Sequence, residues 1–247
     1  MYAKEFIKNK LTLIIIFSII LISYSVYFFN EKTVIYLTSE DNLYEGGTAI
    51  FLLLSSILFF IASKKNIFMI LLGLIFFFGA GEEISWGQRI IGFEPPEKIK
   101  EENVQSEFNI HNLPTFNGTR YKGKHIGKKG WERLTEMNFL YRVFILCFGF
   151  ILPLVTYHLA FIKKLVKKLK IPVPPGSMGL FFIVSWIVCK SVLKIVPKGF
   201  DQNYYNGANE IWEFLTAFIL FNFGMYFYKN RDKEIFGLDI KDTTLLN

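Results

Sequence analysis

Residues 66–91 read NIFMILLGLIFFFGAGEEISWGQRII, and this stretch decides the fold class. A soluble domain interrupts its apolar segments with charge every few residues. Here the apolar run lasts for roughly the thickness of a bilayer, about 20 residues at 1.5 Å each. Comparable runs occupy 11–29, 47–63, 138–162, 176–196 and 211–228 in a chain that is 52% hydrophobic and 18% aromatic. The sequence therefore predicts an all-α fold, a polytopic membrane bundle of about six transmembrane helices. A single membrane domain spans 1–233, and 234–247 form a cytoplasmic tail.

Basic residues set the expected orientation. Lys4, Lys8 and Lys10 precede the first run, and Lys64 with Lys65 join the second to the third. Lys163, Lys164, Lys167, Lys168 and Lys170 join the fourth to the fifth, and Lys229, Arg231 and Lys233 follow the sixth. Six spans place all of these clusters on one side, which the positive-inside rule makes the cytoplasm, so both termini are expected inside. The segment 30–46 is acidic and belongs outside. The N-terminus resembles a signal peptide, but its apolar run, Leu11 to Phe29, is longer than a typical h-region and no small-x-small cleavage site follows. It reads as an uncleaved first helix. The net charge of +7 is explained by these flanking lysines and calls for no nucleic-acid partner. Membrane lipids are the expected surroundings. Cys147 and Cys189 both fall in apolar runs, so neither a disulfide framework nor a cysteine zinc site is indicated. The abundance of Phe, Ile, Lys and Asn suits an AT-rich bacterial genome and hence a bacterial cytoplasmic membrane.

A long outer loop covers 92–137. Pro95 and Pro96 are suited to open a short helix from Glu97 to Glu102. Beyond it, the odd positions 103 to 111 are all polar, the pattern of an extended strand laid over a pocket mouth.

Buried charge is the most informative feature. Counted from Asn66, Glu82 lies about 24 Å across a core of about 30 Å, and the helix is expected to continue past it. Counted from Gly176, Lys190 lies at about 21 Å and Lys194 at about 27 Å. Glu45, Glu83, Glu210, Glu213, Arg142 and Arg89 reach the same zone. Such charges cost a few kcal/mol each unless paired or hydrated, so a polar pocket open to the outside is expected, with Lys190 paired to Glu82 or Glu83.

On a continuous helix, Glu82, Ser85 and Arg89 would share a face. Adjacent acids such as Glu82 and Glu83 can supply an acid beside a base, with His111 as proton relay. Arg89 or Lys190 would hold an anionic headgroup, and Gln88, Glu45, Glu107, Asn112, Glu210 and Glu213 complete the expected substrate-binding set. The acids with His111 could also form a carboxylate-rich site for a divalent metal. Phosphate-loop, nucleophile-elbow and HExxH motifs are absent. The expected activity is hydrolysis or group transfer on a lipid or lipid-linked substrate. The alternatives are a transporter or binder of a small ion or polar solute, and an accessory subunit.

Glu40-Asp41…Glu45, the stretch Gly81 to Arg89 and the stretch Asn103 to Leu113 together resemble the signature of an uncharacterised family of bacterial polytopic membrane proteins. That resemblance implies a multi-pass fold and no activity. The layout is also similar to ceramidase-like intramembrane hydrolases, but the several zinc-binding histidines those enzymes carry on helices are missing here.

Overall fold

The computed structural model describes residues 10–121, 124–196 and 201–231; Lys4, Lys8, Lys122, Lys233 and the expected tail at 234–247 lie outside them. The first apolar helix, α1 (Lys10–Tyr24), tightens into a 3-10 turn at Ser25–Phe28. A short helix α2 (Glu31–Thr38) leads into α3 (Leu43–Ala62) and α4 (Ile67–Glu83). The connection that follows holds α5 (Gln88–Ile91), α6 (Glu97–Glu102) and α7 (Pro114–Asn117). It ends in a small antiparallel hairpin of β1 (Thr119–Tyr121) and β2 (Lys124–Ile126). α8 (Met137–His158) is helical throughout, with a π-helical middle at Ile145–Ile151. After it come α9 (Ala160–Leu169), α10 (Gly176–Ile195) and α11 (Gln202–Lys229).

Among the described residues, four helical stretches are long and apolar enough to cross a membrane: Glu31–Ala62, which contains α3, and α8, α10 and α11. The bent pair Ile67–Glu83 and Ser85–Ile91 makes a fifth if counted as one span, and the apolar part of the first helix, Ile14–Phe28, is shorter. Their outward faces are strongly apolar. Leu53, Ile57 and Ile61 on α3, Leu71, Leu74 and Phe78 on α4, and Trp186 and Ile187 on α10 are all exposed. So much contiguous apolar surface is what lipid, and not water, accommodates.

The centre of the bundle is α11, whose Ile211, Leu215, Ala217, Leu220 and Phe223 are almost completely buried. Aromatic rings knit it to its neighbours: Phe59 of α3 packs on Phe76 of α4 and on Phe223 and Phe227, at centroid distances of 5.4, 5.2 and 6.0 Å. Gly179 lets α10 meet the π-helical part of α8, since a Cβ there would stand 2.6 Å from the Gly149 carbonyl oxygen. The two ends of the bundle differ. At one, Asn66 caps α4 by accepting from the Phe68 and Met69 N–H groups. Its Nδ2 donates to the Lys170 carbonyl at 2.7 Å. The turns that carry Lys64, Lys65 and Lys170 therefore meet. At the other end lie the acidic turn between α2 and α3 and the long connection.

Three sequence expectations need correction. The helix expected over 66–91 breaks after Glu83, bending by 66°, because Ser85, Trp86 and Gly87 are all left-handed, with φ of 46°, 53° and 79°. The run expected to end at 162 stops at His158, where Leu159 is extended and α9 begins afresh. The last helix starts not at 211 but at Gln202, capped by Asp201, whose Oδ1 accepts from Asn203 N–H at 2.7 Å. Glu210 and Glu213 therefore lie within a helix instead of opening one. The expected helix at Glu97–Glu102 is present.

Candidate functional site

The kink after α4 builds the site. Backbone in the left-handed region costs a non-glycine residue about 1 kcal/mol or more, and two such residues precede Gly87. Their compensation is local. The Trp86 ring folds back onto Phe77 and Phe78 with centroids 6.1 and 5.6 Å away. It lies so close over Gly81 that a Cβ there would sit 2.9 Å from the ring. Trp86 Nε1 also donates to Glu82 Oε1 at 2.7 Å.

Glu82 is buried and its second oxygen is equally occupied. Oε2 accepts from the backbone N–H of Ile110 at 2.7 Å and of His111 at 2.9 Å, and His111 Nδ1 lies 3.3 Å away. It thus pins the long connection to the end of α4. Residues 103–112 are not the strand expected from their alternation. They form a compact knot, turned at Ser106 (φ 61°), with Asn103, Glu107, Asn109 and Asn112 buried inside it. Asn103 Oδ1 accepts from the N–H groups of Gln105 and Glu107, while its Nδ2 donates to Asn109 Oδ1 at 2.9 Å. Glu107 accepts from Ser85 Oγ at 2.6 Å and Asn109 Nδ2 at 2.8 Å. The polar side chains alternate because they satisfy buried backbone, not because one face of a strand is wet.

The bend turns Arg89 toward four acids. Its guanidinium nitrogens lie 3.1 Å from Glu40, 3.0 Å from Asp41, 3.6 Å from Glu45 and 2.9 Å from Glu107. Gln105 Nε2 donates to the other oxygen of Glu40, and Gln88 Oε1 accepts from Phe108 N–H at 2.6 Å. Cap, kink and the α2–α3 turn are therefore one hydrogen-bonded unit.

Beside this unit is a cavity of about 1410 Å³. Glu40, Glu45, Glu82, Glu83, Glu136, Glu210 and Glu213 line it, with His111, Asn112, Gln105, Asn138, Tyr141, Asn206 and Asn209. Leu52, Ile75, Phe76, Phe144 and Leu220 form its apolar part. Among the described residues, no lysine or arginine lines it. Glu83 is close enough to Glu45 and Glu213 for their charges to repel, and Glu210 to Glu83, Glu213 and Glu45. Arg142 and His111 act on Glu213 electrostatically, yet no ion pair within 4.0 Å reaches Glu83, Glu210 or Glu213 among the described residues.

The acids expected from depth thus come together; of the expected bases, Arg142 acts on Glu213 without an ion pair, and Lys190 does not join them. Lys190 forms no ion pair with Glu82 or Glu83, because α10 presents Cys189 to α11, with Sγ 3.3 Å from the Ala208 carbonyl oxygen. Lys190, the next residue, is rotated about 100° from that contact. Arg89, expected to hold a headgroup, is paired with four protein carboxylates and does not line the cavity. Gln88 and Glu107 serve the cap and do not line the cavity. Among the described residues, no three His, Cys, Asp or Glu side chains are placed to hold a metal ion, so Glu82, Glu83, His111, Glu210 and Glu213 do not form the joint ligand set anticipated. Sequence reasoning missed Glu136, Asn138, Tyr141 and Asn209. Asn209 could have been found, since Asn206, Asn209, Glu210 and Glu213 fall at helical spacing on one face.

The chain matches no known protein family, no curated protein and no solved structure.

Proposed function

We propose that this is a membrane-embedded binder, or carrier, of a cationic amphiphile: a molecule with an amine or ammonium head and an apolar body. The carrying observation is the cavity wall, to which the described residues contribute seven carboxylates and no lysine or arginine. Carboxylates in a poorly hydrated site need a counter-charge or a proton. Among the described residues, Glu83, Glu210 and Glu213 have no base within ion-pair distance, so a bound cation is their natural partner. The apolar floor at Leu52, Phe76, Phe144 and Leu220 gives the body of such a molecule a place. The volume exceeds the roughly 300–1,000 Å³ of pockets for drug-sized ligands. An anionic headgroup is disfavoured, because Arg89 is already neutralised.

The orientation that fits this reading has six spans, with the lysine-bearing end in the cytoplasm and the cavity facing outward in a bacterial cytoplasmic membrane. Trp131 at the cavity end is 87% exposed. A cysteine in its place labels with an impermeant reagent in intact cells and one at Lys168 does not; the reverse pattern overturns the orientation.

The binding test uses purified protein in a neutral detergent. Dodecylamine raises the melting temperature by several degrees, dodecanol and dodecyl phosphate do not, and Glu83→Gln with Glu213→Gln abolishes the shift. Stronger stabilisation by the phosphate would overturn the proposal. A second reading draws on one observation, that His111 lies on the cavity wall against Glu82, and Glu83 lines the same cavity. There Glu83 would move a proton during hydrolysis or group transfer on a lipid-linked substrate, with His111 as relay. It requires Glu83→Gln to keep ligand binding while losing turnover.

A further inference from the structure

We infer that α9 is an interfacial helix that holds an anionic phospholipid, independently of the cavity. Its sequence, AFIKKLVKKL, has no acidic residue and four lysines, with Lys170 directly after. Leu159, extended between α8 and α9, separates this helix from the span before it. Val166 is 1% exposed and faces the bundle. Phe161, Leu165 and Leu169 recur every four residues, so they form one stripe, and they remain 69%, 39% and 43% exposed. In water that stripe would be a liability; at a bilayer surface it inserts among acyl chains while lysines reach up to the headgroups.

The stripe has a built neighbour. Phe161, Lys164, Leu165 and Lys168 border a groove of about 320 Å³. Lys164 and Lys168 are one helical turn apart on the flank of the stripe. That places two ammonium groups where they can bracket one phosphate, with Phe161 and Leu165 along the chain below it. The fit to a lipid, and not to a free anion, comes from this apolar half. The location agrees: the end of α9 is joined to the start of α4 through the Asn66–Lys170 hydrogen bond, so Lys64 and Lys65 add to the same positive rim. Basic residues near an anionic surface add to its attraction for the protein.

The test is native mass spectrometry of the full chain in neutral detergent. Dioleoyl phosphatidylglycerol and dioleoyl phosphatidylcholine are supplied at equal concentration. The wild type carries several-fold more phosphatidylglycerol, and Lys164→Gln with Lys168→Gln brings the ratio close to one. Lys98→Gln with Lys129→Gln, which removes as much charge at the cavity end, leaves it unchanged. Phe161→Ser with Leu165→Ser lowers the retention of both lipids. Equal retention by the wild type, or a ratio that survives loss of Lys164 and Lys168, would overturn the inference. So would displacement of the bound lipid by millimolar inorganic phosphate, which would mark a free-anion site, or a dimer lost in Phe161→Ser, which would mark a second copy as the occupant of the stripe. Both lysines are exposed, so their loss leaves the fold intact.

Discussion

Glu82 and Glu83 are neighbours in sequence and opposites in structure. Glu82 accepts from the Trp86 indole and from two backbone N–H groups, and lies against His111. Glu83 faces a cavity with other acids around it and no ion-pair partner among the described residues. A buried carboxylate with several donors is a structural tie, because each charge-assisted hydrogen bond offsets part of the desolvation it cost to bury. A carboxylate left without them is a cost the fold carries, and such costs are concentrated where a ligand later relieves them. The same contrast holds between Arg89, surrounded by four acids, and the Glu210–Glu213 wall.

The sharpest way to break this comparison is to remove Arg89. Arg89→Met strands Glu40, Asp41, Glu45 and Glu107 together, and half-buried ion pairs broken from one side cost about 3 kcal/mol. Denaturation of the purified variant in a neutral detergent should show a loss of that order, together with protease access to residues 103–112. An unchanged melt would mean that the cap is held by the Glu82 contacts alone. Glu82→Gln comes next. It keeps an acceptor but replaces one oxygen with a donor facing other donors, for a loss of about 2 kcal/mol.

Glu83→Gln should go the other way. Removing a carboxylate from a like-charged, poorly hydrated wall stabilises the ligand-free protein, by up to about 1 kcal/mol, while ligand response is lost. If Glu82→Gln and Glu83→Gln destabilise alike, both acids are ties and the distinction between them fails.

The sequence made part of this legible. Uninterrupted apolar runs and the depth of Glu82, Glu83, Glu210 and Glu213 sufficed to place the acids at one end of a helical bundle. What they could not convey was direction. Depth along an axis says nothing of rotation around it, which is why Lys190 was expected in the cavity and instead lies one position past the Cys189 contact. The kink was legible only in hindsight: Gly81 leaves room for the Trp86 ring, but three left-handed residues in Ser85-Trp86-Gly87 run against the preference of the first two. The knot at 103–112 shows a different limit. Alternating polar residues are the pattern of a strand, and Asn103 and Asn109 use the same pattern to satisfy a turn's own backbone.

The smallest effect belongs to an ion pair that looks as good as any of Arg89's. Lys100 Nζ lies 2.6 Å from Glu94 and brackets the entry to α6, but both side chains are exposed, at 51% and 80%. Glu94 holds the Lys100 ammonium above its ordinary value of about 10.5. A raised folded value means that any stabilisation is present below about 10.5 and lost only as pH rises through the folded value. Across pH 6–8 the lysine is charged whether folded or not, so the pair adds no pH dependence there. Water and salt also screen it. Lys100→Gln should therefore leave the melting temperature unchanged at low and at physiological salt, beside the large loss in Arg89→Met. A measurable drop at low salt that vanishes on adding salt would show that the cap draws on surface charge too, and the difference between the two pairs would then be one of screening and not of burial.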